Sequence, residues 1–456
     1  MIEFLLDIFK ANKQDDAIIW HEQTYSYDWL YQRVLEWQND LTKNDIAPGA
    51  VVILEADFSP NAVALFLALI EHNCILVPLT QSVESKKAEF TELAEGEIRI
   101  SIADDDSVIF DRIPHHVSPP QRGTHELYSV LRDHHHPGLI LFSSGSSGKS
   151  KAALHNLTGI FEKFKVRRYK QRTITFLLYD HIGGVNTMLY TLSNGGCIIT
   201  VRERSPEKVL EGVEKYHAEL LPTSPTFINM ILFSEAYKRH DLSSLKTVTY
   251  GTEPMPESTL RRFHELYPNI ALQQTYGLSE VGILRSKSKS SDSLWVKLGG
   301  EGFETRIVDG ILQIKAESAM LGYLNAPSPF SEDGWFITGD EVEVDGEYFR
   351  ILGRRSELIN VGGEKVYPAE VESLIQQIDN VADVTVYGEK NPITGNIVCA
   401  NVRLLEPEDS KAAILRIKKY CRARIPTFKV PVKVNIVDEE MHGERFKKMR
   451  LQAVKK

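Results

Sequence analysis

The sequence predicts an α/β fold: a large N-terminal domain of layered α/β sheets with a small β lobe, followed by an α+β C-terminal domain. Three observations lead there. Strand-like apolar runs alternate with amphipathic helical stretches through the first eighty residues and again beyond residue 150. Short strands with turn signals dominate Glu301 to Asp340. The pattern then changes near Gly353, which places the domains at 1–353 and 354–456. A chain of 456 residues is also too long for one small core.

Taken in order, Val51–Leu54 and Cys74–Pro78 read as strands flanking a helix over Asn61–Glu71. From Gln81 to Pro137 the chain turns polar and irregular, with Asp104-Asp105-Asp106 and Pro119-Pro120. One helix is expected there, Ser85–Ala94, in a peripheral region. The apolar run Leu139–Phe142 leads into a glycine- and serine-rich loop. Beyond it, Ile174–Leu178, Cys197–Val201 and Thr247–Tyr250 are expected strands and Pro206–Tyr216 a helix. Asp309-Gly310 and Asp333-Gly334 supply turns in the β lobe. The last hundred residues hold helices at Ala369–Ile378 and Lys411–Ala423 and strands at Ala382–Tyr387 and Val398–Leu404.

Composition narrows the function. Hydrophobic residues make up 42% and charged residues 25%, as in an ordinary soluble globular protein. A net charge of −9 argues against nucleic acid, whose phosphates call for a basic face. The longest apolar run, Ala62–Ile70, is too short for a membrane span, so integral membrane association is not expected. The N-terminus MIEFLLDIFK lacks the marks of a signal peptide. Four widely spaced cysteines read as reduced thiols in a cytoplasmic protein. His134-His135-His136 reads as an exposed turn, because three adjacent histidines cannot all face one metal on regular backbone.

The segment Phe142–His155, FSSGSSGKSKAALH, carries the most chemistry. Such a loop turns backbone N–H groups and hydroxyls onto a polyphosphate, and its lysines add positive charge. Gly148-Lys149-Ser150 matches the end of a Walker A loop. That motif needs a glycine five residues before Gly148, where Ser143 stands, so a P-loop NTPase is excluded. Three further strings follow in order: Gln274-Thr275-Tyr276-Gly277-Leu278-Ser279-Glu280, Trp335 to Asp340, and Gly353-Arg354 through Val361-Gly362-Gly363-Glu364-Lys365.

With these four ordered motifs the chain resembles the adenylate-forming (AMP-binding) superfamily over nearly its whole length, and its motifs most resemble those of acyl-CoA synthetases. The resemblance implies a reaction joining a carboxylate to the α-phosphate of ATP, with loss of pyrophosphate, then transfer of the acyl group to CoA. It implies that Ser143, Ser144, Gly145, Ser146, Ser147, Gly148 and Lys151 bind the β- and γ-phosphates. Ser150 and Ala152 depart from the usual proline and glycine. It puts the Tyr276 ring against adenine, with Thr275, Gly277 and Ser279 beside it, and Glu280 on a magnesium ion shared with Ser143. A hard cation prefers such oxygen ligands. Gly251-Thr252-Glu253-Pro254, after Tyr250, resembles the loop on the other side of the base. Asp340 would accept from the ribose hydroxyls, and Arg354, fourteen residues later, would lie near ribose and phosphate.

His181, in Asp180-His181-Ile182-Gly183-Gly184, resembles the histidine bordering the acyl tunnel, for which Val185, Gly251 and Gly277 are further lining candidates. In amino-acid-activating relatives an aspartate stands where Ile182 is, which argues against an α-amino acid unless Asp180 takes that role by a register slip. The tail, Gly443-Glu444-Arg445-Phe446-Lys447-Lys448-Met449-Arg450, resembles the family's terminal glycine-lysine pair. Arg450 three residues on favours Lys447 as the catalytic lysine, Lys448 is the competitor, and Phe446 replaces glycine. The resemblance also implies a C-terminal domain that rotates between half-reactions about a hinge at Ser356. A carrier protein's phosphopantetheine arm is the rival acceptor to CoA. A nucleotide-binding regulator without catalysis is the reading from another class, and light production on the same fold a remote one. Dimers are common among such enzymes, so a homodimer is compatible with the resemblance.

Overall fold

Helix Pro60–Glu71 shows why the molecule is layered. Ser59 caps it by accepting from the Ala62 amide at 3.1 Å, Pro60 occupies its first turn, and every residue from Pro60 to Ile70 is buried. A helix apolar on all sides needs a wall on each side. Here the walls are two sheets. Their inner faces meet in one cluster that holds Val52 and Leu54 of one sheet, Ile18 and Ile198 of the other, and helix Ile182–Ser193 between them.

The computed structural model describes residues 1–114, 125–144, 150–443 and 446–450. The first seven-stranded sheet runs, in spatial order, Ala271–Gln274, Thr247–Tyr250, Leu220–Thr223, Arg172–Ile174, Cys197–Ile199, Asp16–Trp20 and Gln23–Ser26. All its pairs are parallel except the closing hairpin. The second runs Gly322–Tyr323, Ser150–Asn156, Gly138–Ser144, Ile75–Leu79, Val51–Glu55, Ile98–Ile102 and Val108–Arg112. Its four inner strands pair in parallel. Parallel strands covered on both faces account for the near-continuous apolar runs read in the sequence.

An antiparallel six-stranded sheet between Arg285 and Arg354 forms the β lobe. A five-stranded sheet beginning at Ile359 packs with helices Pro368–Ile375 and Ser410–Arg422 around its own core. Among the described residues no helix is long and apolar enough to cross a membrane. All four cysteines are buried.

Two expectations need correcting. The strand expected over Ile174–Leu178 is instead Arg172–Ile174. Its neighbour Cys197–Ile199 ends opposite Ile174, the Thr175 hydroxyl caps the Ile199 carbonyl, and Phe176–Leu178, with Phe176 buried, become the approach to helix Ile182–Ser193. The stretch from Gln81 to Pro137 is less peripheral than expected, since Ile98–Ile102 pairs directly with Val51–Glu55. Its Ile-Arg-Ile-Ser-Ile alternation, buried at every second residue, was the available signal. His134–His136 form the turn after helix Glu126–Asp133, with His135 in the left-handed region and Nδ1 of His136 3.0 Å from the Asn156 amide.

Gly184 packs so tightly that an added Cβ would lie 1.9 Å from the Leu178 carbonyl oxygen. Gly184→Ala is therefore expected to lower stability by about 2–3 kcal/mol, measured as a lower urea midpoint at unchanged m-value.

Candidate active site

The C-terminal edge of the first sheet and the nearest edge of the β lobe converge on one cavity. Strands Thr247–Tyr250 and Ala271–Gln274 are parallel neighbours, and each ends in a motif. From the first emerges Gly251–Pro254, from the second Thr275–Gly277. The Thr275 amide donates to the Tyr250 carbonyl at 2.7 Å, and a Cβ on Gly251 would lie 2.7 Å from the Thr275 oxygens, so only glycine allows the two loops to touch. Thr252 adopts φ +75°, a strained backbone for a β-branched residue that costs on the order of 1–3 kcal/mol.

Asp340 and Arg354 face this point from the β lobe. Their fourteen-residue separation resolves into direct cross-strand pairing, because Phe336–Asp345 and Tyr348–Arg354 form a hairpin in which the two are register partners. Asp340 is buried. One carboxylate oxygen accepts from the Tyr276 hydroxyl at 2.5 Å, and the other lies 3.5 Å from Arg354 Nε. Burial raises the Asp340 pKa, against the opposing pull of Tyr276, Arg354 and Lys447.

The tail supplies the last wall. Lys447 and Arg450 line the same cavity as Gly251, Thr252, Glu253, Pro254, Thr275, Tyr276, Gly277, Asp340 and Arg354, and its volume is about 70 Å³. Two larger hollows, of about 770 and 670 Å³, are lined by none of these motif residues. Solvent still reaches the Lys447 side chain, yet its amine is pushed below the usual lysine range. Crowding by protein is the first cause and the Arg354 guanidinium the second, with Glu357 and Glu253 pulling the other way.

Lys448 points elsewhere. Its amine donates to the Val384 carbonyl at 2.9 Å and lies 3.3 Å from Asp383 and 3.8 Å from Glu372. Burial opposes its charge, but the two carboxylates outweigh burial and raise its pKa. Arg450 grips Glu372 through two 2.9 Å bonds and Glu357 through a third at 2.6 Å. The adjacent lysines thus divide: Lys447 faces the cavity and Lys448 belongs to the C-terminal core.

Other expected residues sit apart from this cavity. Ser143 pairs in register with Lys151 on the antiparallel strands that bracket the glycine-rich loop, and Ser144 pairs with Ser150. Gly145, Ser146, Ser147 and Gly148 lie outside the described residues. Glu280 accepts from the Tyr323 hydroxyl at 2.5 Å, and the Lys151 amine stands 4.9 Å from the centre of the Tyr323 ring. Ser279, beside Glu280, is buried. His181 caps helix Ile182–Ser193 through Nδ1, which accepts from the Gly183 amide at 3.1 Å. Asp180 accepts from Thr80 and Ser82 at 2.8 and 2.9 Å, while Ile182 is buried in the core. Ser356 lies exposed in the short turn Arg355–Glu357 between the β lobe and the last sheet.

Glu253 has an unexpected employment. One oxygen accepts from the amide and hydroxyl of Thr226, the other from the Lys448 amide at 3.0 Å, so its carboxylate pins the tail. Sequence reasoning also missed Tyr323 and Asn325. The Asn325 amide group accepts from the Ala152 N–H at 2.9 Å and donates to the Ser150 carbonyl at 2.8 Å, clamping the exit of the glycine-rich loop. It missed Glu341 as well, which takes Arg355, Lys365 and Tyr367 at 2.8, 2.9 and 2.6 Å across the Ser356 turn. Those three donors overcome burial and hold the Glu341 carboxyl at about 2.

Two family models match the chain: AMP-binding enzyme over residues 8–309 and AMP-binding enzyme C-terminal domain over residues 370–447. An indoleacetate–CoA ligase of Aromatoleum aromaticum is 28% identical over 331 residues, covering 66% of this chain and 64% of that protein. The long-chain-fatty-acid–CoA ligase FadD13 of Mycobacterium tuberculosis is 24% identical over 434 residues, covering 86% and 85%. In fold, the chain superimposes on the amide bond synthetase McbA from Marinactinospora thermotolerans with a TM-score of 0.75 at 21% identity, covering 97% of this chain and 96% of that one. Among the first curated relatives it matches, the chain spans 50% to 64% of their length.

Lys448→Met is expected to cost about 3 kcal/mol, because it leaves Asp383 buried and Glu372 short of a cation. Lys447→Ala should change stability by less than about 0.5 kcal/mol. Urea unfolding of the two variants checks the contrast.

Proposed function

The chain belongs to the AMP-binding enzyme family, and on that premise we propose that it is an ATP-dependent acid–thiol ligase. It would activate a carboxylic acid as acyl-AMP, release pyrophosphate, and pass the acyl group to CoA. The observation that carries this reading is the cavity itself. Loops after two parallel strands, a hairpin of the β lobe and a tail lysine meet around Tyr276, Asp340 and Arg354.

Each residue has a task suited to its surroundings. The loop Gly251–Pro254 and the Tyr276 ring would hold the adenine between them. Asp340, kept in place by Tyr276 and Arg354, would accept from the ribose hydroxyls, with Arg354 next to the sugar and α-phosphate. Lys447 would place its charge beside the substrate carboxylate and the α-phosphate, where negative charge builds as pyrophosphate leaves. Lys151 and the loop Ser143–Gly148 would hold the outer phosphates.

Glu280 and Ser143 fit a magnesium ion, since both offer oxygen and the Glu280 carboxylate accepts from the neutral Tyr323 hydroxyl. Among the described residues no three His, Cys, Asp or Glu side chains cluster, so such an ion would take most of its ligands from phosphate and water. When bound it would neutralise charge on the phosphates.

A cavity of about 70 Å³ is far below the roughly 300 Å³ of ordinary small-molecule pockets. Nucleotide entry therefore requires the tail to stand back, which fits a C-terminal domain, 354–456, that turns about Ser356. Asp180 is committed to Thr80 and Ser82, and Ile182 to the core, which supports a substrate without an α-amine. The ligase names of the relatives support CoA as acceptor over a carrier protein. Four buried cysteines suit a cytoplasmic setting.

Pyrophosphate release should depend on both ATP–magnesium and one class of carboxylic acid in a panel, and CoA should accelerate it. Release that ignores CoA would favour the carrier-protein acceptor, and silence with every acid would count against the ligase. Lys447→Ala is expected to lower acid-dependent release by about 10²–10³-fold. Because the Lys447 amine titrates below an ordinary lysine, it loses its charge earlier as pH rises. The rate should accordingly fall on the alkaline side before an unperturbed lysine would require, and pH–rate profiles of wild type and Lys447→Arg test this.

A further inference from the structure

We propose that Phe446 is a positioning residue for Lys447, its ring serving as an anchor that seats the tail in an aromatic slot on the N-terminal part. The inference rests on the role of Lys447 given above.

Phe446 adopts φ +50°, a left-handed backbone that suits glycine and is costly for a bulky residue. What offsets that cost is the place of its ring. The ring centroid lies 5.1 Å from Phe176 and 5.3 Å from Phe227, edge-on to the latter, and Phe176 and Phe227 are both fully buried. The Arg204 guanidinium stands 5.3 Å from the ring centre, and His442 of the same tail stacks on it at 5.3 Å. These contacts join the tail to the core of the first sheet, the cluster that also holds Tyr250 at the mouth of the cavity.

The backbone on either side of Lys447 is fastened as well. The Phe446 carbonyl accepts from the Ser224 hydroxyl at 2.7 Å, and the Lys448 amide donates to Glu253 at 3.0 Å. Ser224 and Glu253 are themselves tied to the start of helix Pro225–Ser234, Ser224 by capping Phe227 and Glu253 through Thr226. Lys447 is therefore held from both flanks, and only its side chain is left to reach into the cavity. A 1 Å displacement of a reacting group is enough to lower a rate by about a hundredfold, so the anchor bears directly on the proposed chemistry.

Glycine at this position keeps the φ and removes the ring, so Phe446→Gly isolates the anchor. Two measurements test it. Spin labels at Tyr169→Cys and Ile393→Cys, both highly exposed and on opposite sides of the seam, report whether the tail-bearing domain is seated, with the four native cysteines buried. Acid-dependent pyrophosphate release, with the best acid of the panel, reports the chemistry. In wild type one narrow distance population is expected. Phe446→Gly should broaden it and lower kcat by about ten- to a hundredfold, while KM for ATP moves by less than about twofold. Phe446→Leu, which still fills the slot, should stay within about threefold of wild type. An unchanged distance distribution and kcat in Phe446→Gly would overturn the anchor. If wild type releases no pyrophosphate with any acid, the functional reading of Lys447 fails, and the distance distributions alone then decide for or against the seating of Phe446.

Discussion

The buried carboxylate of Asp340 is the constraint around which the site is organised. A carboxylate out of water must be hydrogen-bonded or paired. Here the Tyr276 hydroxyl and the Arg354 guanidinium do both from different elements. Tyr276 comes from the loop after the last strand of the first sheet, and Arg354 from the strand opposite Asp340 in the β lobe. One buried charge thereby ties the lobe to the sheet and sets the width of the cleft between them. Lys447 arrives at the same point from the far end of the chain, and its own charge eases the burial of Asp340.

The tail is held by a division of labour between neighbouring residues. Lys448 and Arg450 satisfy Glu372 and Asp383 inside the C-terminal module, whereas Phe446 and the backbone around Lys447 bind the N-terminal part. A second attachment stands at the turn carrying Ser356, where Glu341 collects Arg355, Lys365 and Tyr367. The arrangement seen is thus fastened at the tail and at the Ser356 turn, and the Ser258 hydroxyl adds a further contact by donating to the Ser373 carbonyl at 3.2 Å.

Much of this was legible in the sequence. Helix Pro206–Tyr216 and strand Thr247–Tyr250 fall where period and cap signals put them, and Tyr276, Asp340 and Arg354, from three of the ordered motifs, meet at one cavity. The fourteen-residue interval between Asp340 and Arg354 became a cross-strand pair only once the bulge at Glu341 and the turn at Gly346 were known. The spacing to Arg450 favoured Lys447 over Lys448, but what holds Lys448 elsewhere, Asp383 and Glu372, lies more than sixty residues away and gave no local signal. Glu253 was readable as part of a loop but not as the group that accepts the Lys448 amide. Tyr323 and Asn325 gave no local signal at all: a short edge strand brings them to Glu280 and to the exit of the glycine-rich loop.

On the proposed function, the adenylate forms between the Gly251–Pro254 loop and Tyr276, above Asp340. A crystal structure with AMP bound tests it most directly. The adenine is expected beside Tyr276, both ribose hydroxyls on Asp340, and the α-phosphate within reach of Arg354 and Lys447. Nucleotide bound elsewhere, or bound here with the ribose away from Asp340, would contradict it.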